Sequence, residues 1–158
     1  MKKIYFLLIS IILTMPISLT SCNESDNEVE NPVSYDQLPE DAKTFLDTYF
    51  YGYEVISVDM VTVEEHDIYQ VKLQDNYQVE FNGEGEWLQV VAPYKESIPT
   101  GFIPPVIMQY LNYNYSGYGI NQINKDGEGY KIELVTGLDL YFNMSGEVID
   151  TSQNGYVG

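Results

Sequence analysis

Cys22 is the one side chain in this sequence whose position alone implies a covalent reaction. It is the chain's single cysteine, so it has no partner for an intrachain disulfide. Lys2, Lys3, an apolar run over 4–13 and the small residues Thr20 and Ser21 come before it. That layout is a secretory leader with a cleavage point ahead of the cysteine. Leu19-Thr-Ser-Cys22 has the form of a lipobox, in which the thiol becomes a diacylglyceryl thioether and a peptidase cuts before it. The apolar run is too short for a membrane-spanning helix. We therefore expect a lipoprotein signal peptide over 1–21, lipidation at Cys22 and a membrane anchor through the attached chains, each buried methylene contributing roughly 0.8 kcal/mol. The alternative is an ordinary signal peptide with an incidental cysteine.

The remaining candidates for chemistry are weaker. His66, the only histidine, stands among Glu64, Glu65 and Asp67. Consecutive side chains in an extended loop point in different directions, and one nitrogen ligand is poor zinc chemistry; a solvated loop is expected. Asn124-Lys-Asp-Gly-Glu-Gly129 has part of a calcium-loop pattern, but Val135 occupies the position that needs a bidentate glutamate. A β-turn is expected there. No Gly-x-Ser-x-Gly accompanies the histidine. With 24 acids in the chain, a carboxylate pair at glycosidase spacing carries no information. The expectation is a non-catalytic protein without cofactor or metal site.

Charge excludes one class of partner. The chain has 24 acidic residues against seven lysines, no arginine, and a net charge of −17. Nucleic-acid binding rests on clustered Lys and Arg, so that function is excluded. Such acidity favours solubility, and it also favours a basic partner or loosely held divalent cations. After Cys22 the chain runs through Asn-Glu-Ser-Asp-Asn-Glu-Val-Glu-Asn-Pro32 without an apolar face. We expect an acidic disordered tether over 22–36.

The elements beyond the tether come twice. Phe81-Asn-Gly-Glu-Gly-Glu86 recurs as Phe142-Asn-Met-Ser-Gly-Glu147, and Tyr69-Gln-Val-Lys-Leu73 recurs as Tyr130-Lys-Ile-Glu-Leu134, both 61 positions on. In the first unit, 37–93, Leu38-Pro39-Glu-Asp41 opens a helix whose stripe is Ala42, Phe45, Leu46, Tyr49 and Phe50, ended by Gly52. In the second, 94–158, the stripe is Ile103, Val106, Ile107, Tyr110 and Leu111. Period-two alternation then predicts strands over 56–60, 69–73, 77–81 and 87–91, and over 119–124, 130–134, 138–142 and 148–151, with Gly-containing turns between them. The fold class expected is α+β: two tandem units of a helix and a four-stranded antiparallel meander, joined edge to edge in one eight-stranded sheet with both helices on one face. Joining also removes edges that would invite aggregation.

A sheet with helices on one face leaves the other open. Gln70, Lys72, Gln78 and Glu80 of the first unit, and Lys131, Glu133, Asp139 and Tyr141 of the second, are the polar members of the alternation. They form the candidate surface for a protein or peptide partner, simple solvation being the alternative. Tyrosines gather where each helix gives way to strand: Tyr49, Tyr51 and Tyr53 in the first unit, Tyr110, Tyr113, Tyr115 and Tyr118 in the second. Tyr suits interfaces, but rings that roof the sheet are the expectation here.

Leu-Pro, a helix, Tyr-x-Val-x-Leu and then Val-Glu-Phe-Asn-x-x-Gly-Glu-Trp resemble the PepSY-like family of Bacteroidetes lipoproteins, over nearly all of 38–151. The resemblance implies a fold like that of beta-lactamase inhibitory protein, two tandem α/β units forming a concave sheet. It implies no catalytic residues, and lactamase inhibition does not follow from a fold. Acids just after Cys22 resemble the surface-export signal of such lipoproteins. The expected location is the outer membrane, lipid-anchored, on its periplasmic or cell-surface face. Three roles are compatible: a binding module, an accessory envelope lipoprotein without its own ligand, or an inhibitor of an envelope hydrolase.

Overall fold

The computed structural model describes residues 31–150. The leader, Cys22, residues 23–30 and the last eight residues lie outside them. The chain runs β1 (Asn31–Pro32), α1 (Glu40–Tyr49), β2 (Val55–Val63), β3 (His66–Leu73), β4 (Gln78–Asn82), β5 (Trp87–Val91), α2 (Pro105–Asn114), β6 (Ile120–Lys125), β7 (Gly129–Leu134), β8 (Asp139–Asn143) and β9 (Val148–Asp150). The strands form a single nine-stranded sheet in chain order, every neighbour antiparallel.

The added strand is β1. Residues 31–36, assigned to the tether from their polarity, pair Asn31 with Met60 and Pro32 with Asp59, then form a 3-10 turn at Tyr35–Gln37. Proline is tolerated there because an edge strand has no outer neighbour to receive its missing N–H. Val33 N–H donates to the Val58 carbonyl at 2.9 Å and extends the contact.

Both helices start after a proline, Pro39 and Pro104, whose fixed φ of −53° and −50° leads into the first turn. The C-cap N–H groups of Phe50 and Tyr115 bond back to Leu46 and Leu111, and Gly52 then takes φ +87°. Ala42, Phe45, Leu46 and Phe50 are buried as the stripe requires. In α2, Ile107 and Leu111 are buried, but Val106 is 51% exposed. Tyr110 takes the place that periodicity gave Val106: its ring meets Phe142 at 5.5 Å and 81°, matching Phe45 on Phe81 at 5.5 Å and 81°.

The core draws Val71, Leu73, Val79, Phe81, Val90, Ile123, Ile132, Leu134, Leu140 and Phe142 from alternate sheet positions, and joins them in one cluster with the buried residues of α1 and α2. At roughly 1.5–3 kcal/mol per buried large apolar side chain, this cluster dominates stability. Across the middle of the sheet, β5 and β6 pair Gln89 with Asn124, Val90 with Ile123 and Val91 with Gln122.

Turn chemistry repeats in detail. The Asn82 side-chain oxygen accepts from the N–H groups of Glu84 and Glu86 at 3.1 and 2.9 Å. Asn143 does the same for Ser145 and Glu147 at 2.9 Å each. Each hairpin carries a register shift at homologous places, Glu80/Phe81 and Tyr141/Phe142. A further bulge between Val55 and Ser57 turns Ile56 outward, 57% exposed, where strict alternation placed it in the core. The acidic break read as a four-residue loop is only Glu64–Glu65, both at positive φ, a two-residue hairpin turn between β2 and β3.

Candidate functional site

Because alternate residues of a strand point to opposite faces, burying Val71, Val79, Ile132 and Leu140 turns their neighbours away from the core. Register then lines those neighbours up across strands. One row runs Asp59, Gln70, Glu80, Gln89, Asn124, Lys131 and Tyr141. A second, parallel row runs Ser57, Lys72, Gln78, Val91, Gln122, Glu133 and Asp139. Neighbours along a row are about 4.8 Å apart, the spacing of strands. All fourteen are partly exposed or exposed, so no second layer of described residues covers them.

The eight residues picked from the sequence all fall in these two rows. Gln70, Glu80, Lys131 and Tyr141 belong to the first, and Lys72, Gln78, Glu133 and Asp139 to the second. The reading missed Gln89, Gln122 and Asn124, which bridge the two groups across the central seam. Their alternation in 87–91 and 120–125 was available as a signal. What was absent from the sequence was the β5–β6 pairing that places them between the others.

Several of these groups are already fixed in place. Gln70 Nε2 donates to Glu80 Oε1 at 3.2 Å, and Ser57 Oγ to Asp59 Oδ2 at 3.4 Å. Lys131 Nζ sits 2.9 Å from Asp139 Oδ2 and 5.9 Å from the centre of the Tyr141 ring. Partial burial opposes the charge on Lys131, but the Asp139 hydrogen bond and charge, with Tyr141 and Glu133 nearby, outweigh it and raise the ammonium pKa above 10.5. Chemically the face offers carboxylates, carboxamides and ammonium groups at the spacing of neighbouring strands.

The other candidates sit elsewhere. His66 is exposed at the β2–β3 turn, with Nδ1 2.8 Å from the Glu64 carbonyl. Asp126 spends one carboxylate oxygen on the N–H groups of Glu128 and Gly129 at 2.8 and 2.9 Å, as a turn residue does. Among the described residues, no group of three or more His, Cys, Asp or Glu side chains is arranged to hold a metal ion.

The junction tyrosines divide. Tyr49 packs on Phe45 at 4.9 Å and Tyr115 on Tyr110 at 6.2 Å, both against the core, while Tyr53, 38% exposed, meets Tyr77 at 5.2 Å. Tyr51 and Tyr113 are each 88% exposed and Tyr118 56% exposed. A shallow groove of about 400 Å³ lies between α2 and the last hairpin, lined by Val106, Tyr110, Tyr113, Gly146 and Val148 among others.

Comparison with known proteins gives a consistent result. The family described as "Putative beta-lactamase-inhibitor-like, PepSY-like" matches residues 26–75 and 67–150. The chain is similar to a crystal structure described as a "putative periplasmic protein from DUF2874 family" of Bacteroides vulgatus, at 29% identity and TM-score 0.73, covering 77% of this chain and 94% of that one. A second Bacteroides vulgatus structure, described as a "putative periplasmic protein of unknown function", is similar at 28% identity and TM-score 0.74, over 79% of this chain and 100% of that one. A "putative calcium-regulated periplasmic protein" of Bacteroides thetaiotaomicron is similar at 26% identity and TM-score 0.72, over 77% and 94%. No curated protein matches the chain.

Proposed function

This chain belongs to the PepSY-like, beta-lactamase-inhibitor-like family, and from that premise we propose that it is a non-catalytic envelope protein that recognises a protein or peptide through its open sheet face. Its structural neighbours are described as periplasmic proteins, which supports an envelope location. Within that location the lipobox at Cys22 argues for a lipid anchor in the outer membrane, on the periplasmic or the cell-surface face. The family is described by likeness to an inhibitor and not by a reaction.

The observation that carries this reading is the pair of uncovered polar rows spanning β2 to β8. A face whose side chains are already held by Gln70–Glu80 and Lys131–Asp139 contacts loses less side-chain freedom on docking. The architecture behind it reads as two tandem units with both helices on one face. Recurrence of the Asn82 turn at Asn143, and of the register shift beside it, supports descent of both units from one ancestor.

Capture from detergent-solubilised envelopes with the full chain tests the proposal, comparing wild type with the Glu80→Lys, Asp139→Lys double variant. Loss of a stoichiometric partner in the variant is expected; equal recovery removes the sheet face from consideration. A second reading, inhibition of an envelope hydrolase, is favoured by the family's description. It predicts that the captured partner is a hydrolase whose activity falls on binding. If no stoichiometric partner is captured, the accessory role without its own ligand stands instead.

A further inference from the structure

We infer that the end of the sheet where both helices finish docks a Lys- or Arg-bearing polypeptide segment of a partner protein, gripped by exposed tyrosine rings set among carboxylates. Strands β2, β4, β6 and β8 begin at this end and β3, β5 and β7 finish there. The helices start at the opposite end, since a side-chain carbon on Gly85 would lie 2.9 Å from the Ala42 nitrogen, and one on Gly146 would lie 3.2 Å from Val106. Both therefore deliver their C-termini here.

The loops of this end form one continuous rim. Gln74 N–H bonds the Glu54 carbonyl at 2.8 Å, the Tyr53 ring meets Tyr77, and the Tyr77 hydroxyl donates to the Ser97 carbonyl at 3.2 Å. Ile98 N–H then bonds Ile120, Asn121 Nδ2 donates to the carbonyls of Pro93 and Glu96, and Val135 N–H bonds Gly119. On that rim stand Tyr51, Tyr94 and Tyr118, exposed by 88%, 86% and 56%. The sequence singled out Tyr51 and Tyr118 as junction residues; Tyr94 joins them because β5 finishes at this end, three residues before it.

The charge around these rings selects the partner. Glu54, Asp75 and Glu96 are all exposed on the rim, against Lys95 as the cation beside them. Neither helix has a basic residue in its last turn, so the partial negative charge of both C-termini is left for a cation. Lys95 Nζ already lies 5.2 Å from the centre of the Tyr94 ring, which shows that this ring presents a face to an ammonium group. A second copy of so acidic a chain would be repelled at this surface. This rim is separate from the sheet face, and the two stand or fall independently.

The test uses the full chain in nonionic detergent at 0.15 M salt, with a fluorescent twelve-residue Gly/Ser peptide bearing two Lys and two Arg, read by anisotropy. A peptide with Gln in place of the four cations is the control. Wild type should bind the cationic peptide at least tenfold more tightly than the control. The Tyr51→Ser, Tyr94→Ser, Tyr118→Ser variant should lose at least tenfold, and Glu54→Gln with Glu96→Gln several-fold. The Glu84→Gln, Glu128→Gln variant, with the same charge change in turns at the opposite end of the sheet, should stay within twofold. Equal loss in the opposite-end and rim variants, or no loss in the tyrosine variant, overturns the inference, as does absence of preference for the cationic peptide. Tyrosine-dependent self-association in sedimentation, without peptide binding, overturns it in favour of a second copy.

Discussion

Lys131 Nζ lies 2.9 Å from Asp139 Oδ2 across strands β7 and β8, and the two residues stand diagonally, Lys131 opposite Tyr141 and Asp139 opposite Glu133. Their side chains are 21% and 26% exposed. A pair this accessible is partly screened, so its coupling should be about 0.5 kcal/mol. A double-mutant cycle with Lys131→Met and Asp139→Asn, read by urea denaturation, should return that value and should shrink as salt is raised. Zero coupling at low salt would show that the contact contributes nothing to stability.

Glycine at position 85 is required twice over. Its φ is +91°, and an added side-chain carbon would lie 2.9 Å from both the Ala42 nitrogen and Pro39 Cβ. Gly52 has φ +87° but open space around it. Gly52→Ala should therefore cost about 1 kcal/mol, the strain of a left-handed alanine alone. Gly85→Ala should cost at least about twice that, because the start of α1 must also shift. Equal losses in denaturant melts would mean that the hairpin and helix are not in the close contact described.

Phe81 and Phe142 are 0% and 1% exposed, and each carries a helix ring edge-on. Phe81→Ala and Phe142→Ala should each cost about 3–5 kcal/mol. Since both belong to one core cluster under one sheet, each variant should still unfold in a single transition, monitored by tryptophan fluorescence and far-UV dichroism together. Two separated transitions in either variant would show halves that fold independently.

Stability should fall on the alkaline side. Burial, then Tyr53 and nearby acids, raise Tyr77 above 10.0; burial and then Tyr115 raise Tyr110 above 10.0. Lys131 is raised above 10.5 by its carboxylate partner, against the pull of its own burial. In each case the folded state holds the proton more tightly than the unfolded chain. The stabilisation is therefore complete below the unfolded values of 10.0 and 10.5, and is lost as pH rises through the folded ones. Thermal melts from pH 8 to 11.5 should show a decline that begins near pH 10, reduced in Tyr77→Phe. An unchanged decline in that variant would leave Tyr77 out of it.

The local elements were legible in the residues themselves. Alternation in Tyr69–Leu73 and Tyr130–Leu134, the stripe Ala42–Phe45–Leu46–Phe50 and the Asn-x-x-Gly-Glu turns are short-range patterns, and each became the expected strand, helix face or hairpin. The eight polar residues of the open face followed from the same alternation. Features that depend on a distant partner were not legible there. Asn31–Pro32 is a strand only because β2 offers an edge to it, and no period in an acidic segment announces that. Ile56 faces out because a bulge opposite Leu73 shifts the strand's phase. Val106 is exposed because Tyr110 reaches Phe142 from the next turn of the helix. Gln89 and Asn124 share a row, and Tyr94 shares a rim with Tyr118, through pairings that close across the middle of the sheet. Periodicity is written in neighbours a few residues apart; register and loop closure are settled by which surfaces bury each other best.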